Sequence, residues 1–176
     1  MEYSEGLAYM SNKNGTCTLC GMGTCQDLDI VVPEIHNGQA VVAIGKDAFS
    51  RTKIRSIKIP NSVKIIRKLA FYECANLEHI SISRFSNLEV VEESAFYGCE
   101  TLRTISLPTT LTDIGKRAFM HCYTLSTIDI PRNIKSIGDD AFNLCGDIHV
   151  YLPLHIKHIG KRAFSQNFAV LHYYNR

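Results

Sequence analysis

The 176-residue chain lacks any long apolar run. Nowhere does it approach the roughly 18 consecutive apolar residues that cross a bilayer as a helix, so no membrane insertion is expected. A surplus of charge is missing too. Nineteen Lys and Arg face seventeen Asp and Glu, a formal net charge of +2. That is too little to mark a nucleic-acid groove or a surface for anionic lipid, and no nucleic-acid partner is expected. There is no Gly-rich phosphate loop, no Gly-x-Ser-x-Gly elbow and no recognisable paired-carboxylate context. The start, Met1-Glu2-Tyr3-Ser4-Glu5-Gly6, carries two acids and no basic region leading into an apolar stretch, so it does not read as a secretory signal. The chain is then expected either to stay in the cytoplasm or to be a mature or excised piece of a longer secreted protein.

What is present is a repeat. With 45% hydrophobic and 20% charged residues the composition is that of an ordinary globular protein, long enough for a substantial core. The dipeptide Ala-Phe occurs six times: Ala48-Phe49, Ala70-Phe71, Ala95-Phe96, Ala118-Phe119, Ala141-Phe142 and Ala163-Phe164. Successive copies are 22, 25, 23, 23 and 22 residues apart. A fixed period in this range marks a solenoid, whose units stack only on their neighbours. A solenoid offers a long regular surface and no ready cleft. Its default role is to bind another macromolecule.

The fullest unit runs from Ile114 to Pro131 and reads Ile-Gly-x-x-Ala-Phe-x-x-Cys-x-x-Leu-x-x-Ile-x-Ile-Pro. Ile128 and Ile130 share one face of a strand, because side chains alternate along extended backbone. The triples Ile54, Ile57, Ile59 and Leu77, Ile80, Ile82 and Leu102, Ile105, Leu107 repeat this. Pro60, Pro108, Pro131 and Pro153 end the strand, having no amide hydrogen to donate. A second short extended piece follows, as in Leu111-x-x-Ile114 and Ile134-x-x-Ile137. Gly45, Gly115, Gly138 and Gly160 come next and are expected at positive φ. Ala, Phe and Cys at offsets 0, 1 and 4 suit one inward-facing turn of α- or 3₁₀-helix. Arg67 and Glu92 replace the glycine in two units. The third unit lacks the proline and carries two extra residues around Ser83-Arg84-Phe85-Ser86-Asn87. Such an insertion reads as an outward loop on the binding side or as tolerated drift in turn length.

This motif resembles the BspA-like leucine-rich repeats of bacteria and protists, over about residues 41–170. The stretch from Gly15 to Cys25, then Ile30-Val31-Val32-Pro33 and Asn37-Gly38-Gln39-Ala40-Val41, is similar to the β-rich lead-in of that family. Polar-apolar alternation and the Asn37-Gly38 turn independently support a strand or hairpin there. The expected fold is mostly β with short helical turns: a leucine-rich-repeat solenoid of about six 22–25-residue units with a β-rich N-terminal cap. The cap is placed at 1–43 and the repeats at 44–176, as one continuous domain. The resemblance implies a surface-displayed or secreted adhesion or protein-binding role, with extracellular matrix or host proteins as partners of some members.

Seven cysteines leave at least one thiol unpaired. Cys74, Cys99, Cys122 and Cys145 each sit three residues after a repeat Phe and read as small buried groups stacked along the core. Cys17-x-x-Cys20, with Cys25 nearby, lacks the second pair that a structural zinc site needs. In a strand residues 17 and 20 would point to opposite faces. They read as ordinary strand cysteines, with one structural disulfide from Cys25 as the alternative in an exported protein. His155 and His158 fall at variable positions of a strand. In His121-Cys122 the cysteine is one rung of the core column, and neighbours on one turn diverge. No metal, cofactor or catalytic residue is expected, and the chain reads as a non-enzyme.

The variable strand positions remain. One column holds Lys58, Ser81, Ser106, Asp129 and Tyr151. The next holds Ser56, His79, Thr104, Thr127 and His149. Both fall on one exposed face if the apolar triples point inward. Small polar groups mixed with charge, His and Tyr suit a protein partner better than a polyanion. A second stripe, Lys46, Lys68, Lys116-Arg117 and Lys161-Arg162, is broken by Glu93 and Asp139-Asp140 and reads as a solvated rim. The expected function is recognition of another protein through this face, with a structural spacer in a larger surface protein as the alternative. The strand-like end Ala169-Val170-Leu171-His172-Tyr173-Tyr174 either closes the stack or leaves an edge for weak self-association.

Overall fold

The computed structural model describes residues 3–165 and 169–174. Strands follow in the order β1 (Ala8–Ser11), β2 (Cys17–Gly21), β3 (Asp29–Val31), β4 (Ile35–His36), β5 (Gln39–Ile44), β6 (Ser56–Ile59), β7 (Ile65–Ile66), β8 (His79–Ile82), β9 (Val90–Val91), β10 (Thr104–Ile105), β11 (Asp113–Ile114), β12 (Thr127–Asp129), β13 (Ser136–Ile137), β14 (His149–Pro153), β15 (His158–Ile159) and β16 (Val170–Tyr174). They form two sheets. One runs β16-β14-β12-β10-β8-β6-β3, all parallel; the other runs β1-β2-β5-β7-β9-β11-β13-β15, with β4 beside β5. Each coil gives one strand to each sheet and then turns through its Ala-Phe segment.

The period-2 triples make the strands of the seven-stranded sheet. In β6 Ile57 and Ile59 are buried and Lys58 is exposed; β8 repeats this with Ile80, Ile82 and Ser81. The strands of the second sheet are two residues long in most coils, because the Val-x-x-Ile piece ends at the glycine position. Coil contacts continue past them: Gly115 N donates to Val91 O, and Phe96 N to Ala118 O.

The glycines were expected at positive φ, and they are not: among the described residues the glycines with positive φ are Gly6, Gly15, Gly23, Gly38 and Gly98. Gly45, Gly115, Gly138 and Gly160 are required instead by close approach of the coils. A Cβ on Gly138 would lie 2.5 Å from Lys116 N, and one on Gly160 would lie 2.3 Å from Asp139 N. The left-handed conformation falls on the residue before each Ala: Asp47, Leu69, Ser94, Arg117, Asp140 and Arg162.

The expected helical turn is also replaced. No helix occurs among the described residues. The segment is a run of β-turns, with Ala48 N bonded to Gly45 O at 3.3 Å and Thr52 N to Phe49 O at 3.0 Å. A left-handed residue at the third position, here Asp47 or Arg51, is the mark of the type II form. Intervening amides donate to the next coil, as Phe49 N does to Ala70 O at 2.7 Å and Phe119 N to Ala141 O at 2.7 Å. A helix would keep those donors within its own turn. The stack uses them to join coils.

The interior is a single cluster reaching from Leu7 to Ala163. Six phenylalanines stack along its axis, from Phe49 to Phe164, with centroid spacings of 5.2, 5.0, 5.1, 5.1 and 5.4 Å. Beside them runs the cysteine column. Cys99, Cys122 and Cys145 donate to Phe71 O, Phe96 O and Phe119 O at 3.3, 3.3 and 3.2 Å. Thr52 takes the cysteine place in the first unit and bonds Phe49 O at 2.8 Å. The N-terminal lead-in gives more than a cap. Ile30 and Val32 are buried like the repeat isoleucines, and β3 pairs in parallel register with β6. Asn37 and Gly38, at φ 48° and 77°, turn β4 into β5 as a hairpin.

Candidate protein-binding face

Parallel pairing without register slip lines up the variable positions of the seven-stranded sheet. Ser56, His79, Thr104, Thr127 and His149 are successive partners across β6, β8, β10, β12 and β14. Lys58 is opposite Ser81, and Asp129 is opposite Tyr151. Ser106 follows the end of β10 and is exposed, as Ser81 and Asp129 are. All ten expected face residues therefore lie on the outward side of one sheet. Ser56 is half-buried and the other nine are exposed.

The two columns extend beyond the ten residues expected from the sequence. Asp29 of β3 is the register partner of Ser56, and His172 of β16 is that of Tyr151. The signal for the first was available: Ile30-x-Val32-Pro33 is a worn copy of Ile-x-Ile-Pro. For the second no proline marked the strand.

Polar contacts tie the ends of the face. Ser56 Oγ donates to Asp29 Oδ1 at 2.7 Å, and Arg55 Nε donates to the same oxygen at 3.1 Å. The Arg55 guanidinium, then the Ser56 hydroxyl, hold the Asp29 carboxyl below its usual value. At the far end His149 Nδ1 lies 3.1 Å from His172 Nε2, and Tyr151 stacks on His172 at 4.6 Å. One edge of the face carries two shallow grooves. One, of about 390 Å³, is lined by Lys58, Ser81 and Ser83; the other, of about 570 Å³, by Asp129, Arg132, Tyr151 and Tyr174. The inserted loop starts at Ser83. It holds Phe85 at 73% exposure, under the Arg84 guanidinium at 4.6 Å.

The other candidate residues are not gathered into a site. Cys17 is buried and Cys20 exposed, as opposite strand faces require, and all seven cysteines are free thiols, Cys25 included. His121 Nδ1 is 2.6 Å from Tyr123 OH, whereas the Cys122 thiol turns inward to Phe96 O. Burial raises the thiols of Cys99 and Cys122 well above their ordinary value and pushes that of Cys145 up to about 12. These are poor nucleophiles. His155 sits 2.5 Å from Arg132 O, while His158 lies opposite Ser136. No group of three His, Cys, Asp or Glu able to hold a metal occurs among the described residues. No helix there is long and apolar enough to cross a membrane. The basic rim is balanced by pairs between coils: Lys68 with Glu93 at 2.8 Å, and Arg162 with Asp140 at 2.8 Å.

Parallel coils, a stacked aromatic interior and an outward sheet of variable residues define a leucine-rich-repeat solenoid. The model of the BspA type leucine rich repeat region matches residues 39–170 in six copies. The chain belongs to that family. A leucine-rich repeat protein of T. pallidum shares its fold with a TM-score of 0.79 and 22% identity, over 96% of this chain and 84% of that one. The pneumococcal vaccine antigen PcpA gives 0.75 and 23%, over 94% and 47%. A leucine-rich cell surface protein of Faecalibacterium prausnitzii gives 0.68 and 23%, over 94% and 52%. This chain thus spans about half the length of the latter two. Among curated proteins no relative matches.

Proposed function

We propose that the chain is a non-enzymatic recognition module, and that it binds another protein through the outward face of the seven-stranded sheet. One observation carries this reading: nine of the ten face residues are exposed, in columns aligned by parallel strand pairing, with two grooves at the edge and Phe85 uncovered in the loop after β8. Tyr, Trp and Arg side chains supply most of the binding energy at protein interfaces. Here the aromatic and Arg anchors are Phe85, Arg132 and Tyr151, with Lys58 and Asp129 setting charge complementarity, among Ser and Thr that add contact without bulk. The balanced charge favours a protein over a polyanion. Adhesion to a matrix or host protein is the physiological role this reading supports, in keeping with a family that includes cell-surface proteins. Weak self-association through the C-terminal edge is a second proposed contact, which meets this face at Val170 and His172.

The test is capture by the intact chain beside a variant with Lys58→Glu and Asp129→Lys. Both sites are exposed, so the fold should survive, and the variant should lose what the parent retains. A spacer would show no difference, since its exposed columns engage no other protein.

A further inference from the structure

The last strand of the seven-stranded sheet, β16, has a neighbour on one side only among the described residues. Two hydrogen bonds settle how its backbone is oriented. Val170 N donates to Ile148 O at 3.0 Å, and Tyr174 O accepts from Leu154 N at 3.1 Å. Backbone groups alternate sides along a strand. Val170, His172 and Tyr174 therefore bond toward β14, and the N–H and C=O groups of Leu171 and Tyr173 point away from it.

The same two residues carry the inner side chains. Leu171 and Tyr173 stand in register with buried Val150 and Leu152, yet they are 39% and 56% exposed. Leu154 and Ile159 at this end are uncovered as well. Residues 169–174 contain no Lys, Arg, Asp, Glu or Pro, the residues that keep edge strands from pairing. The opposite end differs. There Ser4 N donates to Val31 O at 3.0 Å and Val31 N to Ser4 Oγ at 3.1 Å, covering the edge of β3, while the β1–β2 hairpin closes the second sheet. A head-to-tail stack is not offered.

We propose that β16 pairs antiparallel with β16 of a second copy, about a two-fold axis through His172. This register follows from the groups that are free. Leu171 of one copy falls opposite Tyr173 of the other, and these are the residues whose N–H and C=O face outward. Each such pair exchanges two hydrogen bonds, four in all. Every position finds a partner: Val170 opposite Tyr174, Leu171 opposite Tyr173, His172 opposite itself. The inner side chains Leu171 and Tyr173 cover each other, extending the core across the axis. His172 becomes a non-hydrogen-bonded pair, with Cα atoms about 4.5 Å apart. Such a self-complementary contact closes at two subunits. One five-residue strand and its inner face make a small interface, so the dimer dissociates on dilution.

Sedimentation velocity of the whole chain from micromolar to millimolar concentration reads the association. The parent should shift from monomer to dimer, and Leu171→Lys or Tyr173→Lys should stay monomeric throughout. The register is read separately by His172→Cys, placed in a Cys20→Ser background and oxidised with glutathione disulfide. That arm leaves both inner side chains in place, so it holds even if a lysine loosens β16. Its Cα spacing suits a disulfide, and it should cross-link at least tenfold faster than Asn14→Cys, in the exposed turn between β1 and β2. The proposal is overturned by a parent that stays monomeric at the highest concentration. Lysine variants that associate like the parent would overturn it too, as would His172→Cys cross-linking no faster than the control. None of these outcomes decides recognition by the outward face, which is tested by capture with Lys58 and Asp129 changed and β16 intact.

Discussion

Replacing Gly138 by Ala tests why this repeat carries a glycine. The new methyl would lie 2.5 Å from Lys116 N, 2.7 Å from Gly115 C and 2.8 Å from Lys116 Cα, against 3.4–4 Å for an ordinary contact. All three atoms are backbone of the coil below, so no side chain can swing aside. The two coils must separate by roughly an ångström, an overpacking of the kind that costs about 1–3 kcal/mol. Hydrogen-bond lengths at this position run the same way. The amide at this position reaches the coil below at 2.7, 2.7, 2.8 and 2.7 Å for Gly45, Gly115, Gly138 and Gly160. Where the column holds Arg67 or Glu92 the distance is 3.0 or 2.9 Å. Arg117→Gly is the contrasting change. Arg117 is exposed at φ 55°. A left-handed L-residue costs about 1–2 kcal/mol, offset by the 0.5–1 kcal/mol or so that glycine's unfolded freedom removes. Urea denaturation followed by circular dichroism should show Gly138→Ala losing about 2 kcal/mol and Arg117→Gly unchanged or gaining up to about 1 kcal/mol. For a chain of this size the first corresponds to a fall of roughly 4–8 °C in Tm. If Gly138→Ala stays within about 0.5 kcal/mol of the parent, or Arg117→Gly loses as much as Gly138→Ala, the close-approach reasoning is wrong.

Other expectations follow from the interior. Phe96 is fully buried between Phe71 and Phe119; Phe96→Ala should cost about 3–5 kcal/mol in urea titration, and Phe164→Ala, at the half-buried end of the stack, markedly less. In the native state a thiol reagent should label Cys20 quickly and Cys74, Cys99, Cys122 and Cys145 only on unfolding, read by mass spectrometry. The raised thiols also set a pH dependence. Their folded values lie above the ordinary 9.0, so the stability they contribute is intact below about pH 9. It is lost as pH rises further, at about 1.4 kcal/mol per pH unit for each such thiol. Cys145→Ala should flatten the decline of the urea midpoint between pH 9 and 11.

The solenoid was legible because stacking repeats one chemical demand in every coil. Phe96 and Phe119 meet the same surroundings, so the same residue recurs, and the period gives the fold. The outward face was legible by subtraction, as what remained at Lys58, Asp129 and Tyr151 once the inward positions were known. The conformation of the Ala-Phe turn was not. Its left-handed residues are Asp47, Leu69, Ser94, Arg117, Asp140 and Arg162, with no common side chain to mark them, because hydrogen bonds to the next coil impose the conformation. Glycine drew attention to the wrong cause: in a repeat, a missing Cβ can report the neighbouring coil as readily as the local φ. The first coil was hidden in Ile30-Val31-Val32-Pro33, where valine stands for the second isoleucine and no Ala-Phe precedes it. His172 was not legible, because membership of the face depends on β16 pairing with β14, and nothing local to residues 169–174 declares that partner.

The most direct measurement compares what the immobilised parent chain and a face variant capture, the variant carrying Lys58→Glu, Asp129→Lys and Tyr151→Ala with its urea midpoint unchanged. A protein retained by the parent and released by the variant is the predicted result. Equal retention by both, or specific retention by neither, would contradict recognition through this sheet.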